Sequence, residues 1–130
     1  MIRSKDFAPV ILRISMALVF LYFGFSQTIA PDDWVSFVPE FAVPSFMTAN
    51  NLVMLNALFE ITLGFFMISG LYTRFSSLLL SLHLFGITLS IGLNPIGIRD
   101  FGLAFATLVV YFNGSDKYCL DNKYINYSRK

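Results

Sequence analysis

At 130 residues the chain has room for one domain; 56% of it is hydrophobic and only 13% is charged, about half the charged share of a soluble protein. A net charge of +1 offers no basic field for nucleic acid, and the lone Cys119 excludes an intrachain disulfide or a CxxC redox pair. Charges are also segregated. None lies in 14–31, 41–59, 61–73 or 101–115, and 75–98 carries only His83. A soluble amphipathic helix shows a charged face at every turn, so the chain reads as an integral membrane protein whose first partner is the lipid bilayer.

After a polar start with Arg3 and Lys5, a first helix is expected over 7–28. At about 33 Å it spans a bilayer with some tilt. It is too long for a signal-peptide core, and no A-x-A-like site follows it. Arg13 lies about two turns inside, and Ala17 and Gly24 near its face leave room for a neighbouring helix. The connection 30–50 holds three prolines, three acids, and Trp34, Phe37, Phe41 and Phe46. Asp32 or Asp33 can cap a short helix that Pro39 ends. The aromatics, Trp34 above all, suggest a segment at the membrane surface, either a plug over the bundle or the mouth of a ligand site.

The second helix, 51–69, carries one carboxylate, Glu60, about 14 Å from either end. Asn56, Glu60 and Gly64 recur at i, i+4 and i+8 and form one polar, small-residue stripe. An intramembrane acid is either a hydrogen-bonded packing residue or a functional site. Gly70 closes this helix, and the turn 71–74 leads into a third helix, 75–93. There His83, Gly86 and Ser90 share a face. Asn94, Pro95 and Gly97 break the chain before a fourth helix, 98–112. Fifteen residues rise only about 22 Å, so Arg99 and Asp100 are expected as an interfacial anchor. Gly102 and Ala106 form a small-xxx-small pair, and a polar tail, 113–130, follows.

The expected fold is therefore all-α: an integral membrane four-helix bundle, with a long extracytoplasmic loop between helices one and two. Arg3, Lys5, Arg74, Lys117, Lys123, Arg129 and Lys130 gather on one side and only Arg99 on the other. The positive-inside rule then puts both termini and the tail in the cytoplasm, and the expected location is the cell's plasma membrane. Counted from the cytoplasmic ends, Arg13, Glu60 and His83 fall within about 4.5 Å of one another in depth. Glu60 is thus expected to be paired inside the bundle, with Arg13 the first partner and His83 the second. Asp100 is expected outside that cluster.

Nearly the whole chain resembles the DoxX family of small four-helix membrane proteins. The carrying segments are LRISMALVFLYFGFSQTI, VPSF at Val43–Phe46, FEITLGFFMISGLYTR and GSDKYCLD at Gly114–Asp121. The last is similar to the family's G-P-G-x-Y-S-L-D. Gln27 stands where a lysine or other polar residue often follows the helix-one glycine. Ser115, Asp116 and Cys119 replace a proline, a glycine and a serine. The resemblance implies a redox-linked, quinone-associated setting, since some relatives resemble the membrane subunit of a thiosulfate–quinone oxidoreductase.

Three functions follow. The first is an accessory subunit of a redox-linked membrane assembly, with a redox-protein partner or a second copy beside it. The second is a quinone-binding, proton-coupled oxidoreductase subunit, with Glu60 as the catalytic proton relay and Arg13, Asn56 and His83 as its polar cluster. The third is a small-solute or proton permease, for which four short helices leave little room. Quinone is the candidate cofactor, and no metal-ligand spacing is present.

Overall fold

A computed structural model describes residues 4–127, which are helical throughout apart from connections. Four helices are long and apolar enough to cross a membrane: α1 (Ser4–Ile29), α3 (Ala49–Ser69), α4 (Thr73–Ile91) and α5 (Pro95–Asn113). A short α2 (Asp32–Val35) and a terminal α6 (Leu120–Tyr127) complete the set.

Local chemistry explains the boundaries. Thr48 caps α3 by accepting the Asn51 N–H, and Gly70 ends it in the left-handed region at φ 71°. The residues expected to break the chain before the fourth helix in fact start it. Asn94 accepts the N–H groups of Ile96 and Gly97, and Pro95 occupies the first turn, where its missing N–H costs nothing. So α5 runs 19 residues, about 28 Å, longer than the sequence reading allowed. The connection between α1 and α3, expected as one long loop, is itself structured. Only Ala30 and Pro31 separate α1 from α2, and a 3-10 turn at Glu40–Ala42 follows.

The spans pack as two tight pairs, α1 along α3 and α4 along α5, which meet across narrower seams. The α1–α3 seam is made by small residues. A Cβ on Gly24 would lie 2.6 Å from Ile61, and one on Gly64 would lie 3.0 Å from Leu21. The turn at 71–74 joins α3 to α4 without making them the closest neighbours, because neither presents such a seam to the other. Gly102, expected in a small-residue contact, meets nothing within 4 Å. Across α4 and α5, the Ser81 hydroxyl donates to the Ala104 carbonyl at 2.9 Å. An apolar core of Met16, Ala17, Phe20, Leu63, Met67, Leu80 and Val110 fills the half of the bundle nearest the α3–α4 turn.

The polar tail is also folded. Asp121 N–H donates to Gly70 O, and its carboxylate accepts the N–H groups of Tyr72 and Thr73. Because Tyr72 caps α4 with no side-chain bond of its own, Asp121 does that work from 48 residues away.

Candidate functional site

The other half of the bundle holds a cavity of about 500 Å³, within the usual range for a ligand site. All four spans line it, and α2 with the chain after it covers it through Trp34, Phe37 and Val38. Its walls are apolar, from Phe20, Phe23, Leu84, Ile87 and Leu103, with a few polar groups converging among them.

Glu60 is the centre of those groups and is 3% exposed. Its Oε2 accepts from Gln27 Nε2 at 3.3 Å and its Oε1 from Asn56 Nδ2 at 3.2 Å. Asn56 Nδ2 also donates to Gln27 Oε1 at 2.8 Å. His83 stands across from this trio, Nε2 3.6 Å from Glu60 Oε1, beyond hydrogen-bond length. That nitrogen is shut off from solvent and without a hydrogen-bond partner. The Phe59 ring packs on the imidazole, centroids 4.8 Å apart. So Glu60, Asn56 and His83 come together.

Arg13 is not with them, contrary to the expected pairing. It points toward the opposite end, where Nε donates to Asp116 Oδ2 at 2.5 Å and Nη1 to Met67 O and Ile68 O at 2.7 Å. Met67 is seven residues beyond Glu60 on α3, or about 10 Å of rise. The long side chain travels down to the last turn of α3, where Met67 O has only the Gly70 N–H at 3.3 Å for a backbone partner and has a lone pair to spare. There the tail supplies the counter-ion. Asp100 is 6% exposed and shares the cavity wall with Arg99, from which it accepts at 2.8 Å, outside the hydrogen bonds of the Glu60 trio. The longer α5 carries both residues inward. Arg99 lies over the Phe23 ring, 5.1 Å from its centroid, and Trp34 meets the same ring edge-on at 5.6 Å. Trp34, Arg99 and Asp100 therefore belong to the cavity's mouth.

Two residues escaped the sequence reading. Gln27 was visible only as a departure from the family's usual residue, yet it holds Glu60. Asp116 was visible as an acid in place of a glycine, yet it answers Arg13.

The tail cluster has its own electrostatics. Burial pushes the Asp116 carboxyl up, but the Arg13 hydrogen bond, the Tyr118 N–H, the Arg13 charge and the Cys119 thiol outweigh it and leave it lowered. Asp121 is lowered in the same way, burial being overcome by Thr73, Tyr72 and Ser115. Burial raises the Cys119 thiol against the pull of Thr73 and Arg13, which leaves it a poor nucleophile.

No curated protein and no solved structure matches the chain. The family model DoxX matches residues 8–93, which takes in α1, the cavity cover, Glu60 and His83 and leaves out α5 and the tail. With well over half of its length matched by that model, this four-span chain belongs to the DoxX family.

Proposed function

We propose that this protein is the quinone-holding subunit of a redox-linked membrane assembly. The observation that carries this reading is a cavity of about 500 Å³ with apolar walls, enclosing a buried carboxylate and a histidine nitrogen that lacks a partner. Apolar walls suit a ring with a short prenyl tail. Convergent polar groups suit its oxygens. A bound quinone would supply paired electron and proton carriage within the bilayer. The protein's own residues bind and orient the ring, through Phe23, His83 and the aromatic cover, and hold a proton at Glu60 or His83. The proton-coupled oxidoreductase reading draws on that same pair. The electron donor is a separate protein of the assembly or reaches the site through it. The permease reading is the weakest, since an apolar core closes the bundle beyond the cavity.

Trp34, the chain's single tryptophan, lines the cavity and reports on it. A short-chain benzoquinone is expected to quench its fluorescence saturably. Gly86→Leu should weaken that binding on the order of tenfold, since Gly86 lines the cavity with nothing within 4 Å of its Cβ direction. Native mass spectrometry of protein from mild detergent should show co-purified quinone and any bound protein partner together. Linear, non-saturating quenching with no co-purified quinone would refute the reading.

The plasma membrane is the location proposed, and the cytoplasmic placement of both termini rests on the seven basic residues gathered on that side. Lys130→Cys in intact cells should resist an impermeant thiol reagent; labelling from outside would reverse the orientation.

A further inference from the structure

We propose that the charge on Glu60 makes His83 a selector for the redox form of the ligand, favouring the hydroxyl-bearing (hydroquinone) form over the carbonyl-bearing one. This rests on the quinone reading above and names which form the same site prefers.

Both Glu60 oxygens receive an amide N–H, from Gln27 and from Asn56. A donor on each oxygen is the pattern of a carboxylate rather than of an acid with a hydrogen to give. His83 Nε2 faces it across 3.6 Å. Closing that gap by about 0.7 Å makes an N–H···O bond, and only a hydrogen-bearing Nε2 can donate it. A neutral imidazole carries one ring hydrogen, so holding it at Nε2 leaves Nδ1 as a bare acceptor.

Nε2 is closed to solvent, whereas the side chain as a whole is 24% exposed and lines the cavity. Nδ1 makes no hydrogen bond within the protein and is not among the buried orphan atoms, so it is the ring nitrogen open to a ligand. A phenolic hydroxyl donates to such a nitrogen. A quinone carbonyl offers only lone pairs and meets a lone pair. For the carbonyl to bind there, the ring hydrogen must move to Nδ1, and Nε2 then turns a lone pair toward an oxygen that is itself acceptor-only. A carboxylate orienting a histidine tautomer in this way is familiar from metal sites; here the selected partner is a ligand oxygen.

In this account His83 touches the ligand, and Glu60 acts through it as a positioning residue. The remaining charged groups on the cavity are Arg99 and Asp100 on α5, which answer each other at the mouth. The test is a matched pair of probes, decyl-benzohydroquinone and decyl-benzoquinone, titrated calorimetrically and anaerobically into the detergent-purified full chain. The wild-type protein is expected to bind the hydroquinone on the order of tenfold tighter, the worth of one hydrogen bond in a charge-assisted network. In Glu60→Gln, an amide can give or accept toward Nε2, so both tautomers are allowed and the ratio should fall to within about threefold. His83→Phe keeps a ring and removes both nitrogens, and should abolish the preference as well. Equal or tighter benzoquinone binding by the wild type overturns the proposal. So does a tenfold preference that survives in Glu60→Gln. If Glu60→Gln fails to fold, the wild-type and His83→Phe ratios decide. Binding of both probes without preference removes this inference alone, while binding of neither to folded protein removes the quinone reading with it.

Discussion

Replacing Arg13 with methionine is expected to cost about 3–5 kcal/mol of stability, the usual result of breaking a buried ion pair, and to lower the melting temperature by on the order of 10 °C. Both members are buried, with side chains 2% and 3% exposed. The loss is twofold: Asp116 keeps its charge without a guanidinium, and the Met67 and Ile68 carbonyls lose the bond from Arg13. Asp116→Asn should cost less, because the amide oxygen still accepts and Arg13 retains the two carbonyls. The double variant should fall short of the sum of the singles, since one interaction is lost only once. Acid provides an independent arm. The folded Asp116 and Asp121 carboxyls lie below their ordinary value of 3.8, so their stabilisation is complete above that pH. It is lost as the pH falls through the lower folded values. Thermal melts from pH 5 to pH 2 should therefore show an acid limb below about pH 4 that Asp116→Asn flattens. A melting temperature unchanged by Arg13→Met would remove the pair from any structural role.

Gly70→Ala should rank next, at about 3 kcal/mol. The left-handed backbone at φ 71° costs any L-residue about 1–2 kcal/mol. The added methyl also has nowhere to go: it would lie 2.5 Å from the Cys119 Cα and 2.8 Å from its Sγ. Backbone cannot rotate aside as a side chain can, so overpacking adds about 1–3 kcal/mol. The tail would be pushed away, loosening the Asp121 carboxylate from the start of α4. Gly102→Ala is the control, because its Cβ direction is empty and alanine is the better helix former by up to about 1 kcal/mol. Thermal melts should separate the two variants in opposite directions; similar melting temperatures would show that the tail does not press on Gly70.

The four spans were legible because lipid removes choice: uncharged runs near twenty residues have few other fates. Glu60 was legible for the same reason, as an acid too costly to leave unpartnered. Its partners were harder to read. Depth counting brought Arg13 close to Glu60, but depth ignores which way a long side chain leans, and Arg13 leans toward the last-turn carbonyls of α3 and a nearby aqueous edge. Asn56 was legible from its i, i+4 spacing to Glu60, but Gln27 carries no charge to draw attention, and the two suffice for a carboxylate when both its oxygens receive donors. The start of α5 was misread because proline and asparagine stop one helix and begin another by the same chemistry. The tail was legible only as polar, because its acids answer groups far off in the chain, Arg13 in α1 and the start of α4.

The Arg13–Asp116 contact also sets an order of events at the ribosome. The two residues lie 103 positions apart, so at roughly 5–20 residues per second the arginine precedes its carboxylate by about 5–20 seconds of synthesis. During that interval α1 must reside in the bilayer with its guanidinium drawn to the headgroups. The final arrangement of the first helix is thus fixed by a segment translated 103 positions after its arginine.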